Sequence, residues 1–563
     1  MKFRRVMNAA FLVFVFAFLD LTVAQQAGGV ITGRVITDEG LPVSHARVSV
    51  FGVRGGMGQA SVSREIVADD DGNFVVDGLE AIPYLVSAWA PGYVPASDGG
   101  LLTPFETSEA RFVRVGASVT VKLIRGGVIT GRVTTDAGEP VVGAPVKATR
   151  IKDETGNSSS VNIDYEHLWT RTTDDRGVYR IYGLAPGSYI VAAGGRDASS
   201  SRPTPFAGRT KTHYPSSTRD AATPVAVRSG LEARDIDIRY RGDSGFAISG
   251  KVRGATTPGM TKVLLRNVTF RETIDTTSLQ VSNDQNTYAF YGVPNGEYEV
   301  IARNDSAVGE NGLDSTPRRL IVNGADATGI DLVLVPNATL SGTVAVEKPG
   351  SETIECKSHR KLYPEESVVR ARRHEPAKNR ERLPPSPLGY GVGIPDSKGA
   401  FTIPNLKPGR HHIELELPDD TWYLKAMTMT NSKSAVDPRD GLTLRSGDQL
   451  TGLRLTVASG AAMLKGQITE AELPTPLRVY LIPFEAKAKD NLVRFVETTT
   501  QADGVFTFKN LAPGKYFVLA RAMHPGARDS AERQKLRKIA ETTNLTIELK
   551  PCQQITEYSV RMK

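Results

Sequence analysis

The sequence predicts an all-β chain, a tandem array of about five antiparallel β-sandwiches. Three observations predict it. The octapeptide Gly-Gly-Val-Ile-Thr-Gly-Arg-Val stands twice, from Gly28 to Val35 and from Gly126 to Val133. A polar turn that ends on an aromatic residue recurs along the chain. Gly and Pro are plentiful, with 53 and 33 copies in 563 residues, which suits short strands and many turns. A chain this long exceeds one hydrophobic core, so several domains are required.

The first element of each unit is the strand carrying the octapeptide. Its fainter copies are Ile248-Ser249-Gly250-Lys251-Val252, Leu340-Ser341-Gly342-Thr343-Val344 and Leu464-Lys465-Gly466-Gln467-Ile468. The anchor glycines are therefore Gly33, Gly131, Gly250, Gly342 and Gly466, set in apolar residues that alternate as in a half-buried strand. The next element is a turn with Gly or Asn followed by an aromatic strand residue: Phe74, Tyr179, Tyr288, Phe401 and Phe506. A third signal, Leu-x-Pro-Gly-x-Tyr or Val-Pro-x-Gly-x-Tyr in its fuller forms, places Tyr189, Tyr298 and Tyr516 in one phase. Unit one keeps Tyr84 without the Gly, and unit four puts His411 in the Tyr slot. A closing strand pair ends each unit. The expected division is a signal segment at 1–24 and sandwiches at 25–125, 126–243, 244–336, 337–458 (with an insertion) and 459–563. Short linkers predict an elongated string of beads. One helix is expected in the last unit, capped by Asp529 with Glu532 three residues on and with Leu536 and Ile539 on one face.

These motifs, Gly-x-Val with Gly-x-Pro-Val, Thr-Asp-x-x-Gly-x-Tyr and Leu-x-Pro-Gly-x-Tyr, resemble the carboxypeptidase regulatory-like domain. That family groups with Ig-like and prealbumin-like sandwiches, collagen-adhesin B-type modules and carbohydrate-binding-like folds. Units one, two and five carry the resemblance well; units three and four carry it in part. It implies an accessory module and not a catalyst. Some collagen-adhesin relatives cross-link Lys to Asn beside a Glu. The matching positions here include Val86, Ala88, Val191, Ala193, Val300, Ala302, Val518 and Ala520, so no such bond is expected.

The N-terminus reads as a secretory signal. Lys2, Arg4 and Arg5 precede an apolar run from Ala9 to Leu19, and Thr22-Val23-Ala24 offers a cleavage site. The run is short for a membrane span, which needs ~20 residues. The expected location is the periplasm, cell surface or exterior, with no span after cleavage. The net charge of +7 is slight for this length and does not argue for nucleic acid. The basic stretch from Lys357 to Arg382 is broken by Glu365, Glu366, Glu375 and Glu381 and reads as a solvated loop. Cys356 and Cys552 are the two cysteines; export permits their pairing, and the sequence leaves open whether they meet.

Chemistry is sparse. Asp69-Asp70-Asp71-Gly72-Asn73 resembles part of a calcium loop, yet it lacks the closing Glu and sits where every unit has a turn, so it reads as a hairpin turn. His411 and His412 with Glu414 suggest a metal-dependent hydrolase or dioxygenase, but the Tyr slot of His411 makes it a core aromatic substitute. No metal, cofactor or catalytic residue is expected. Trp89 occupies a slot filled by Gly194, Arg303, Glu416 and Arg521 elsewhere, which predicts exposure. Trp89 with Tyr93, Trp169, and Trp422 with Tyr423 are the candidate ligand-binding aromatics. The function expected is an exported, non-enzymatic binding protein for a polysaccharide or a cell-envelope protein. A structural stalk is the alternative.

Overall fold

The computed structural model describes residues 29–560, apart from 55–62, 97–111, 155, 157–169, 197–203, 256–260, 271, 283–284, 305–311, 348–355, 357–360, 374–390, 431–440, 470–476, 486–492, 502 and 523–529. The signal segment and Trp169 lie outside the described residues. No helix among the described residues is long and apolar enough to cross a membrane.

The strands of unit one form two facing sheets. One orders Asn73–Leu79, Gly29–Thr37, Ser118–Arg125 and Tyr93–Pro95; the other orders Ser63–Val67, Arg47–Gly52 and Tyr84–Trp89. Alternate residues of both, among them Ile31, Val48, Val50, Phe74, Tyr84 and Leu123, fill the core between them. Units two, four and five repeat this plan, each around its own core. In unit three the two sheets are continuous, because Leu313–Ser315 pairs with Gly296–Asn304 on one side and Leu332–Pro336 on the other.

The repeated residues explain themselves in register. Every anchor glycine stands opposite the turn aromatic of its own unit: Gly33 and Phe74, Gly131 and Tyr179, Gly250 and Tyr288, Gly342 and Phe401, Gly466 and Phe506. The glycine leaves room for another chain to approach. A Cβ on Gly131 would stand 2.1 Å from the Ile236 carbonyl oxygen and 3.0 Å from the Tyr179 hydroxyl. That hydroxyl donates to the Ile236 carbonyl at 2.5 Å, and Tyr288 does the same to Ile330 at 2.5 Å. The third signal is a second local lock. Tyr189, Tyr298 and Tyr516 donate to the carbonyls of Ala185, Pro294 and Ala512 at 2.7, 2.9 and 2.6 Å, four residues back. Just before that lock the strand bulges. The bulge residue has a left-handed φ in every unit, which explains why Gly183 (72°) is replaced by Asn and nothing bulkier at Asn405 (61°) and Asn510 (55°).

Two expectations change. Pairing is antiparallel in the main, yet first and last strands run parallel, as Gly29–Thr37 does with Ser118–Arg125 and Ala338–Val346 with Gln449–Ser459. The last strand of a unit therefore ends where the next begins; only Gly126 separates Arg125 from the strand Gly127–Thr134. The string of beads is also wrong. Unit one folds back onto unit four, where Val53 and Leu85 pack against Val368, Val392 and Ile394 in a separate apolar cluster. Units four and five are joined by the Cys356–Cys552 disulfide, with Cα atoms 5.4 Å apart, and by Lys509 to Asp420 at 2.8 Å. The helix Ser530–Thr543 covers the outside of a unit-five sheet, laying Leu536 and Ala540 on Tyr480, Ile482, Phe517 and Leu519; Asp529 lies outside the described residues.

Candidate ligand-binding face

Trp89 is the last residue of Tyr84–Trp89, an outer strand of the three-stranded sheet in unit one. Side chains alternate along it. Tyr84 and Ala88 enter the core, while Leu85, Ser87 and Trp89 point outward. Register builds the rest of the face. Trp89 stands opposite Arg47, which stands opposite Val67; Ser87 stands opposite Ser49, which stands opposite Glu65. Trp89 is 52% exposed and Val67 59%. Arg47 and Glu65 are exposed, and Ser49 and Ser87 are half-buried. The other end of the same face, Phe51 and Leu85, lies under unit four. An apolar ring therefore sits among hydroxyls and two opposite charges at the open end of a face whose far end is covered. Arg47, Ser49, Glu65, Val67 and Ser87 were not singled out from sequence. The alternation in their strands was visible, but the register that aligns them with Trp89 was not.

The other candidate aromatics have structural places. Tyr93 belongs to the opposite sheet and is half-buried against the core, so it does not share Trp89's face. Trp422 is 6% exposed and packed in the unit-four core. No ring can stack on it without opening that core, so it is removed as a binding residue. Its carbonyl accepts from Asn510 Nδ2 of unit five at 2.8 Å, which places the pair Trp422–Tyr423 at the joint between units four and five. Tyr423 is half-buried there, and burial raises its phenol pKa.

The acidic turns use their oxygens on their own backbone. Asp69 Oδ1 accepts from the amides of Asp71 and Asn73 at 3.0 and 2.7 Å, and Asp174 Oδ1 from Arg176 and Val178 at 3.0 and 2.7 Å. The amide of Val178 is the main reason that the Asp174 carboxyl is held below its ordinary pKa. His411 is 2% exposed, and its Nδ1 donates to the Gly409 carbonyl at 3.2 Å. Burial, with Arg373 nearby, pulls its pKa to about 4. Above pH ~6.5 the imidazole is neutral in folded and unfolded chain alike. Below that, the unfolded chain takes up a proton that the folded one refuses, so unit four loses stability as pH falls from ~6.5 to ~4. Chemical denaturation across that range is expected to show a loss of about 2–3 kcal/mol that His411→Tyr, the repeat residue, removes. An unchanged pH slope in that variant would refute it.

Similar solved structures include the TIE protein of Bacillus anthracis, at 12% identity over 55% of this chain and 51% of that one, with TM-score 0.15; the present chain spans about half the length of that relative. Others are the minor pilin GBS52 of Streptococcus agalactiae, at 12% identity over 38% of this chain and 94% of that one, with TM-score 0.21, and the shaft pilin SpaA of Lactobacillus rhamnosus GG, at 14% identity over 37% and 96%, with TM-score 0.17. No curated protein matches. Residues 30–115, which hold the face around Trp89, match the family model of the carboxypeptidase regulatory-like domain.

Proposed function

We propose that the chain is an exported, non-catalytic scaffold of five units, divided near residues 125, 243, 336 and 458, that holds a polysaccharide on the unit-one face around Trp89. The observation that carries this reading is the exposure of Trp89, 52%, beside Arg47, Glu65, Ser49 and Ser87. A ring of this kind covers the apolar face of a sugar while neighbouring hydroxyls and charges bond its rim. The repeated motif residues are engaged in turns and cores, so a departure from the repeat is where binding can reside.

Trp89→Ala is expected to weaken retention on a polysaccharide at least tenfold, about 1.4 kcal/mol, with the melting curve unchanged. Affinity electrophoresis against a panel of neutral and acidic polysaccharides measures it. Equal retention of variant and wild type would overturn the sugar reading. A second reading, contact with an envelope protein, draws on the slot itself. Glu416, in the Trp89 slot of unit four, reaches Arg114 of unit one at 3.4 Å. Arg303, in the same slot of unit three, pairs with Asp314 at 3.5 Å, which also pairs with Lys407 of unit four at 3.3 Å. The slot thus docks neighbouring units elsewhere in the chain. A wild-type chain that no polysaccharide retards would favour this second reading.

A further inference from the structure

A second concave site lies between units two and three. Arg219 of unit two forks onto Glu272 of unit three, with Nε at 3.0 Å, and its guanidinium lies 4.4 Å from the centre of the Phe270 ring. Lys211 Nζ donates to the Ile274 carbonyl at 3.1 Å, and Arg196 Nη1 donates to Thr277 Oγ1 at 3.1 Å. These ties hold two units face to face and leave a cleft of about 130 Å³ between them.

Its walls are strongly unbalanced in charge. Among the described residues six cations line it, Lys147, Arg196, Arg209, Lys211, Arg219 and Arg241, against the three carboxylates Asp243, Glu272 and Asp275. Each carboxylate already faces an arginine: Arg241 to Asp243 at 2.7 Å, Arg196 to Asp275 at 3.7 Å, and Arg219 to Glu272. Among the described lining residues cations outnumber carboxylates by three, in a partly enclosed space where charge acts through a lower dielectric than at an open surface. Two buried polar atoms on the wall, His213 Nδ1 and Thr273 Oγ1, have no hydrogen-bond partner among the described residues. Burial first, then Lys211 and Arg219, pull the His213 pKa down to about 3, which is the response of an imidazole in a dry, positive site. Ile190 and Ala192 add an apolar wall.

We propose that this cleft binds a small ligand bearing an oxyanion: a carboxylate, phosphate or sulfate, free or carried on a sugar ring. The cations supply the field, the hydroxyl of Thr273 and the imidazole of His213 supply directional bonds, and the apolar wall accepts a ring face. The site is separate from Trp89 and does not depend on the reading given for that face.

Titration calorimetry on the full chain at low salt tests it with four probes: digalacturonate, its neutral counterpart galactobiose, inorganic phosphate and inorganic sulfate. The expected result is binding of at least one anion at least tenfold tighter than galactobiose, weakening as salt rises. Digalacturonate binding alone assigns the ligand to an acidic saccharide; phosphate or sulfate binding as tightly assigns it to the free oxyanion, and either supports the site. The double variant Lys147→Gln, Arg209→Gln is expected to lose the anion at least tenfold, while Trp89→Ala binds it as wild type does. Where the double variant melts early, the salt dependence and the neutral control on the wild type decide. No binding of any anion, or equal binding of neutral and acidic disaccharide, overturns the proposal.

Discussion

Gly131→Ala is expected to destabilise unit two by about 3 kcal/mol or more, enough to split its melting from the rest of the chain. The reason is space. Gly131 lies on the central strand of its sheet, between Tyr179 on the antiparallel side and the segment at Ile236 on the other. A methyl there would stand 2.1 Å from the Ile236 carbonyl oxygen and 2.5 Å from its carbon, both backbone atoms that no rotamer change moves aside. Relief requires the segment at Ile236 to back away, which also breaks the Tyr179 hydroxyl bond to that carbonyl. The bond is buried at its phenol end, where burial raises the pKa of Tyr179 strongly, so a separated hydroxyl would be left without water. Gly208→Ala is the control, because nothing lies within 4 Å of a Cβ there. Differential scanning calorimetry should resolve an early transition in Gly131→Ala and none in Gly208→Ala. A Gly131→Ala chain that melts like wild type would show that the close approach does not hold the unit together. The same geometry at Gly250, 2.1 Å from the Ile330 carbonyl oxygen, predicts the same result in unit three.

That prediction marks what was legible in the sequence. Gly131, Tyr179 and Tyr189 serve contacts internal to one unit, so they recur with the unit and can be aligned by eye. The bulge at Asn405 and Asn510 was not read from the sequence, although only Gly or Asn stands there before the Leu or Val, residues that take a left-handed φ at small cost. What failed was anything that joins units. Arg114 and Glu366 stand 252 positions apart and recur nowhere, so no periodicity announces their contact. Trp422 failed for a related reason. It opens the strand Trp422–Met429 on the core side, and which way the first residue of a strand points follows from register. Trp89 was placed correctly as exposed, although the slot argument behind it was uneven: Arg303 in the same slot is buried and ion-paired. Charge in a sequence slot signals solvent only where no neighbouring unit supplies the counter-charge.

Arg114→Ala is expected to open the contact between units one and four while leaving both units folded. Arg114 is 8% exposed; its Nε donates to the Glu366 carbonyl at 2.6 Å and its Nη2 reaches Glu416 at 3.4 Å. Burial pulls the guanidinium pKa down, and the nearby Glu416 and Glu366 carboxylates oppose that pull. Glu416 also holds Arg370 at 3.1 Å, and Arg370 lies 5.2 Å from the ring centre of Phe112, two residues before Arg114. Truncating Arg114 therefore strands the buried Glu366 carbonyl and takes one of two cations from Glu416, which keeps Arg370, a loss of about 1–3 kcal/mol. That loss falls on the interface, because Arg114 takes no part in the apolar core of unit one. The measurement is small-angle scattering, with a larger radius of gyration expected in the variant, alongside circular dichroism that keeps the strand signal. The consequence reaches the binding face. Phe51 and Leu85, freed from Val368, Val392 and Ile394, would extend the apolar surface on which Trp89 stands. The polysaccharide selectivity proposed for Trp89 should then fall as nonspecific adhesion rises. An unchanged scattering profile would mean that the apolar cluster alone holds unit one on unit four, and Leu85→Asp would then be the change that releases it.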